Sequence, residues 1–313
     1  MTTVVRFSPA LGDWIAQHLD EGQTPAELIV AMQERSMPPE AARAIVEAFV
    51  RARLGGTPVP VDAVELSAPE SSDGADNATP TYRYQPSRLL SGTSIQTSDR
   101  TVRIAARAER PMLAVLNDVL SATECEELIE MARCRLTPST VADPTTGRNV
   151  VTGWRTSFGM FFRPLENPFI ARLDRRIAEI MNLPPEHGEG LQVLHYPTGA
   201  GSEPHFDFLV PSNAANQASI ARSGQRVSTL VMYLNDVPSG GETSFPAAGW
   251  AVSPQRGNAV HFEYGNRFGE LDHASVHASN AVQRGEKWVA TKWMRAQPFI
   301  SADSALVAAT GIA

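Results

Sequence analysis

Apolar residues recur every three or four positions in the first part of the chain and every second position in the last, so helices are expected early and strands late. "TPAELIVAMQERS" opens with Thr24 as an N-cap and Glu27 three residues on, a hydroxyl and a carboxylate that satisfy each other's backbone donors, and Leu28, Ile29 and Met32 form its apolar stripe. "PPEAARAIVEAFVRARLGG" follows, with prolines suited to a helix start, Ile45, Val46, Phe49 and Val50 on one side, and Gly55 as a stop. The spacing predicts a helical hairpin within residues 1–55. Such a module suits docking as well as packing on a main domain, and it carries no chemistry.

Residues 56–100 have no period and are rich in Pro, Ser, Gly, Asp and Asn, which predicts a flexible linker. A main domain is expected over 101–300, with a tail at 301–313. "TVRIAARAERPMLAVLNDVLS" alternates like strands, and "SATECEELIEMARCRL" reads as an amphipathic helix capped by Ser121 and Glu124. A second helix, "NPFIARLDRRIAEIMNL", precedes a series of short β-rich runs: "LQVLHY", "RVSTLVMYL", "NAVHFEY", "SVHASNAV" and "KWVATKWM". Turn residues separate them, as in a β-sandwich or barrel of the jelly-roll kind. Helices first and strands after give an α+β class with helices buttressing one sheet.

Composition narrows the setting. The 313 residues are 42% hydrophobic, normal for a sizeable soluble core, and the net charge of −7 disfavours attraction to nucleic acid or an anionic membrane surface. Small molecules and neutral or basic peptides stay open as partners. No run approaches the roughly 20 apolar residues that span a bilayer, and the N-terminus lacks a basic segment followed by an apolar one, so a cytoplasmic location is expected. Cys125 and Cys134, nine apart on one helix, project about 180° from each other, so no disulfide is expected between them.

"HFDFLV", residues 205–210, places His205 and Asp207 one residue apart, so in an extended chain both leave the same face with Cα atoms roughly 6.6 Å apart. That suits a shared metal ion, although a bare H-x-D also recurs by chance. A third ligand is the natural demand. His195, His261, His273 and His277 are candidates, because His18 falls in the helical module and His187 in a Pro/Gly loop. His277 has the best context, a strand followed by a glycine turn and Lys287. If that hairpin pairs Ala281 with Lys287, histidine and lysine share a face roughly 13 Å apart. A lysine, a five-carbon dicarboxylate and a histidine-bound metal fill such a gap. Two histidines and one carboxylate leave three octahedral positions open, as in non-haem Fe(II) oxygenases. On such a site a 2-oxo acid could occupy two positions and leave one for O₂, and Lys287 would then neutralise its far carboxylate.

From about Pro111 to Phe299 the chain resembles the prolyl 4-hydroxylase branch of the 2-oxoglutarate and Fe(II)-dependent dioxygenases. The matching stretches are "LNDVLSATECEELIEMA", "WRTSFGMFF", "LQVLHYPTGAGSEPHFDF", "QRVSTLVMYLNDVPSGGETSFP", "GNAVHF" and "HASNAVQRGEKWVATKWM". The resemblance implies a double-stranded β-helix core and hydroxylation of an unactivated C–H bond, of proline or a prolyl-peptide-like substrate, giving succinate and CO₂. Fe(II), 2-oxoglutarate, O₂ and ascorbate as reductant are implied with it. Position by position, it implies His205, Asp207 and His277 as iron ligands and Lys287, Tyr196 and Thr243 as cosubstrate-binding residues. Arg226 and Trp293 match positions that face the primary substrate. Where the family commonly reads "GQxYxPHxD" this chain has "GAGSEPHFD", so Ser202 replaces a substrate-side tyrosine and a free amino acid or small metabolite becomes the alternative substrate.

Other roles compete at single positions. Tyr196 also fits a strand tyrosine at a rim, Arg226 a solvated charge, and Trp293 a core aromatic, while His195 falls on the opposite strand face. Residues 209–225, long and polar, read as a loop closing over substrate. A non-catalytic binding domain would have no need of the ligand set. A zinc hydrolase would need a general base beside the metal water and leaves Lys287 unexplained.

Overall fold

The computed structural model describes residues 3–20, 23, 25–34, 37–53, 58–66, 82–139, 141–142, 149–150 and 156–300. It divides into two units, residues 1–79 with 141–154, and residues 80–140 with 155–313.

In the first unit, strand β1 (Thr3–Arg6) leads into helices α1 (Pro9–Asp20), α2 (Pro25–Glu34) and α3 (Pro39–Arg53), and β2 (Ala63–Leu66) returns to pair antiparallel with β1. Its core joins Ile15 and Leu19 of α1 to Leu28 and Met32 of α2 and Ile45, Val46 and Phe49 of α3. The anticipated hairpin therefore gains a third helix, whose Leu11, Ile15 and Leu19 recur at four-residue intervals. The expected N-cap Thr24 and stop Gly55 lie outside the described residues, as do the middle of the expected linker and the tail from 301.

The second unit begins with β3 (Ser94–Gln96), β4 (Thr101–Glu109), β5 (Met112–Asn117), α4 (Ala122–Arg133) and β6 (Thr137–Pro138). Between β6 and the next strand of this unit the chain contributes to the first unit a short ribbon that joins β7 (Val141–Ala142) to β8 (Asn149–Val150). Then come β9 (Phe158–Phe162), α5 (Pro168–Met181), β10 (Leu191–Tyr196), β11 (Ser202–His205), α6 (Ala214–Ser223) and β12 (Arg226–Tyr233). The remaining strands are β13 (Ser239–Gly240), β14 (Thr243–Phe245), β15 (Trp250–Val252), β16 (Ala259–Glu263), β17 (His277–Ser279), β18 (Val282–Arg284) and β19 (Lys287–Arg295). A nine-stranded sheet runs β3-β4-β5-β16-β12-β19-β10-β9-β6, and a four-stranded sheet runs β11-β17-β14-β15. The two face each other as a double-stranded β-helix.

Period-two alternation explains the layering. On β12, Leu230 and Met232 pack with Leu173 and Ile177 of α5, whereas Val231 and Tyr233 turn to the inter-sheet core with Phe245 and Val252 of the small sheet. Burying each large apolar side chain contributes about 1.5–3 kcal/mol, so the central strands are held from both faces. Both anticipated helices are sharply bounded. Ser121 and Glu124 form the reciprocal cap of α4, and Asn167 caps α5, which ends on Asn182 in the left-handed region at φ 50°. Cys125 is buried, Cys134 is exposed, and neither is in a disulfide.

Three expectations change. Residues 63–66 and 94–96 are strands, and Arg88 pairs with Glu263 at 2.7 Å, so the expected linker is structured at both ends. The 209–225 segment contains α6, which the sequence hid because Ala, Ser, Asn and Gln give no apolar stripe. Polar side chains hold it instead: Asn213 caps it, and Arg295 donates to the Ser219 carbonyl at 2.7 Å. Finally, Ala281 does not pair with Lys287. Strand β18 pairs with β13, and Lys287 sits in the large sheet opposite Tyr196. The register of β13 requires Gly240, whose φ is +76° and where a Cβ would lie 2.3 Å from the Ala281 carbonyl oxygen.

Candidate active site

Two sheets build the pocket, and strand register selects its side chains. On β19, Lys287, Val289, Thr291 and Trp293 line it, while Trp288, Ala290 and Met294 turn to the helix layer. Lys292 faces the helices too, paired with Asp174 at 2.7 Å. Alternation thus separates two lysines of one strand into a pocket group and a structural ion pair. Leu194 and Tyr196 of β10 and Val231 of β12 complete the large-sheet wall, and Ser202, His205, Thr243, His277 and Ser279 form the other.

On the small sheet β11 and β17 pair with His205 opposite His277, their ring centroids 4.4 Å apart. Asp207 follows just after β11. Its carboxylate oxygens lie 3.9 Å from His205 Nε2 and 3.6 Å from His277 Nε2, and one ligand atom from each residue lies within 4.8 Å of the others. Each histidine presents Nδ1 to a backbone carbonyl two residues upstream, Glu203 at 2.8 Å and Ser275 at 3.1 Å. Donation from Nδ1 puts the lone pair on Nε2, on the side of Asp207. Three lone-pair donors this close repel one another unless a cation lies among them. The set fits Fe(II): two imidazoles and one carboxylate on one side, with a pocket on the other.

Electrostatics support an anionic ligand. Burial alone would raise the Asp207 carboxyl, but the His277 and His205 rings, Arg226 and the Thr229 hydroxyl outweigh it and hold it below the ordinary carboxylate range. Thr229 donates to Asp207 Oδ2 at 2.7 Å and meets the Tyr264 hydroxyl at 3.0 Å. Lys287 is the opposite case. Only 2% exposed, it is pushed down to about 7 by burial, with Glu242 pulling weakly the other way. Its Nζ lies 5.3 Å from the Tyr196 ring centroid and 5.9 Å from that of Tyr233. Thr243 accepts from the Tyr233 hydroxyl at 2.9 Å.

Arg226 is not a solvated strand-start charge. Glu189 binds it through both carboxylate oxygens at 2.7 Å, it donates to the Asp207 carbonyl at 3.2 Å, and its guanidinium lies 4.1 Å from the Trp293 ring centroid. Trp293 is buried as a core aromatic would be, yet it lines the pocket, and its Nε1 has no partner among the described residues. Ser202 is half-buried at the pocket wall. His195 turns away to stack on Trp288 and pair with Glu286, and His261 is buried against the Thr229 carbonyl. His273 packs on Phe206 and Phe208, beside the ligands without joining them. Sequence reasoning missed Glu189, Thr229, Tyr233 and Ser279. The period of "RVSTLVMY" puts Thr229, Val231 and Tyr233 on one face, which would have found two of them.

A two-histidine, one-carboxylate set on a double-stranded β-helix, with a buried lysine across the pocket, defines the non-haem iron oxygenases that consume a 2-oxo acid. Residues 191–295 match the model of the 2OG-Fe(II) oxygenase superfamily. Prolyl 4-hydroxylase 5 of Arabidopsis thaliana is 32% identical over 254 residues, covering 75% of this chain and 85% of that protein. Prolyl 4-hydroxylase 1 of the same plant is 42% identical over 200 residues, covering 59% and 69%. A solved viral collagen prolyl hydroxylase of Paramecium Bursaria Chlorella virus-1, a 2OG complex, is 26% identical and covers 59% of this chain and 96% of that one, with a TM-score of 0.47. The chain belongs to the prolyl 4-hydroxylase-like family of 2OG-Fe(II) oxygenases, enzymes that use Fe(II), 2-oxoglutarate and O₂.

Proposed function

We propose that this enzyme hydroxylates prolyl residues of a peptide substrate, with Fe(II) held by His205, Asp207 and His277 and 2-oxoglutarate held by Lys287, Tyr196 and Thr243. The observation that carries it is the meeting, in one pocket, of a three-ligand metal set on the small sheet and a buried lysine on the large one. Bound Fe(II) supplies O₂ activation coupled to decarboxylation of 2-oxoglutarate.

The chain's own residues do the rest. Backbone carbonyls orient both imidazoles, and Thr229 holds the Asp207 oxygen that lies toward His277, leaving the other toward His205. Leu194, Val231 and Val289 give the large-sheet wall an apolar surface beside Lys287, which strengthens the attraction of its charge for an anion. Arg226, fixed by Glu189, lies over the ring of Trp293 and holds it at the pocket wall, where a substrate would meet it. The prolyl 4-hydroxylases that the chain resembles support the substrate assignment, and ascorbate as reductant belongs to the same reading. Ser202 gives the second reading its footing, because a small hydroxyl leaves room where a bulky ring would close on a peptide.

Anaerobic titration with Fe(II) and 2-oxoglutarate tests the site: His205→Ala, Asp207→Ala and His277→Ala should each lose the visible charge-transfer band while melting cooperatively. Unchanged turnover in any one removes that residue from the ligand set. Substrate-stimulated succinate release across prolyl peptides and free amino acids, with a mass gain of one oxygen on the product, tests the substrate. Stimulation by free amino acids alone would favour the second reading.

A further inference from the structure

Three hydroxyls form a row across the small sheet. Ser202 of β11 pairs with Ser279 of β17, and Ser279 pairs in turn with Thr243 of β14. All three line the pocket that holds Lys287. Among the described residues the only hydrogen bond of Lys287 Nζ is donated to Ser279 Oγ, at 2.8 Å. An ammonium has three N–H donors and no acceptor, so this contact uses the serine as an acceptor. The serine proton must then turn elsewhere. Thr243 is in the same state, because its oxygen accepts from Tyr233 and that contact leaves its own proton unused. Two hydroxyls with a proton to give and the remaining ammonium donors therefore line one pocket, the donor set of a carboxylate cradle.

We infer that Ser279 is a cosubstrate-binding residue, its hydroxyl donating to the far carboxylate of 2-oxoglutarate beside Lys287 and Thr243. The inference rests on the cosubstrate site proposed above. Ser279 also steers Lys287: by accepting from Nζ it aims the ammonium at the small sheet, where the hydroxyl row lies. A hydrogen bond to a charged group, once lost, weakens binding by about 10- to 100-fold.

The test uses the full chain loaded with Mn(II), so that binding is read without turnover. Calorimetric titration with 2-oxoglutarate should show Ser279→Thr close to wild type and Ser279→Val, the same shape without the hydroxyl, weaker by about 10- to 100-fold. Binding of 2-oxobutyrate, which lacks the far carboxylate, should be the same in wild type and Ser279→Val. Wild-type affinity for 2-oxoglutarate in Ser279→Val overturns the inference. An equal loss for both acids overturns it too, since the serine would then only shape the pocket. A wild-type protein that takes up Mn(II) but no 2-oxoglutarate sinks the cosubstrate site itself, and this inference with it.

Discussion

Lys287 carries a charge in a place that resists charge, and its behaviour should be measurable at the level of the single group. Removing one partner of a buried ion pair costs about 3–5 kcal/mol, so Lys287→Met should weaken 2-oxoglutarate by at least ~100-fold while leaving metal affinity unchanged. Titration of succinate release against 2-oxoglutarate reads this; unchanged affinity would make the lysine a bystander. Lys287→Arg should recover only part, because a planar fork is longer than an ammonium. The pH dependence has two opposite signs. Burial holds the folded lysine at about 7, below the ordinary 10.5, so between these values the unfolded chain binds more protons and this group makes the ligand-free protein more stable as pH rises. Across the same window the charged lysine is lost, and 2-oxoglutarate affinity should fall by up to roughly 50-fold between pH 7 and 9. Affinity flat from pH 6.5 to 9 would mean that the carboxylate does not need the ammonium. That His205, Asp207 and His277 cluster was legible because H-x-D on a strand has a geometry of its own. Ser279 and Glu189 were not, since one serine or glutamate in a strand has no spacing signal until its partners are placed by register.

At the scale of elements, strand alternation and helix caps were readable and connections were not. "SVHASNAV" looks continuous, but its two halves serve different sheets, and only a glycine at positive φ on another strand reveals the change. The segment after residue 82 was hidden for a related reason: its fixed conformation comes from side chains far away. Ser87 Oγ and the Arg88 backbone N–H both donate to Glu263, whose carboxylate is also paired with the Arg88 side chain and is fully buried. Facing His261 and Arg88 overcome burial and hold Glu263 down to about 2. Arg88→Met should therefore destabilise the enzyme by about 3–5 kcal/mol, and adding Glu263→Met should restore most of it. Denaturant midpoints of the two variants check this, and additive losses would contradict a shared pair. Truncation marks the boundary as well. Removing residues 1–81 should spare 2-oxoglutarate turnover, whereas removing 1–100 also takes β3, Arg88 and Asp99, which pairs with Arg176 at 2.6 Å, and should cost the fold.

For the whole molecule, element order was enough to expect an α+β chain with a jelly-roll-like core, and the family resemblance supplied the double-stranded β-helix, but neither could say that the candidate metal set and the lysine stand on different sheets. His205 and His277 belong to the four-stranded sheet and Lys287 to the nine-stranded one. The cosubstrate proposed here grips both, so it acts as a rivet through the middle of the sandwich, and the smaller sheet should breathe less when it is in place. At a hundred times Kd the ligand contributes about 2.7 kcal/mol to any opening that must release it. Amide exchange in β11, β14 and β17 should slow by about 100-fold with Mn(II) and 2-oxoglutarate, and β4, which lies far along the large sheet, should keep its own rate. In Lys287→Met the metal would remain but the rivet would lose one head, and protection of the small sheet should fall back toward that of the metal-only protein at the same 2-oxoglutarate concentration.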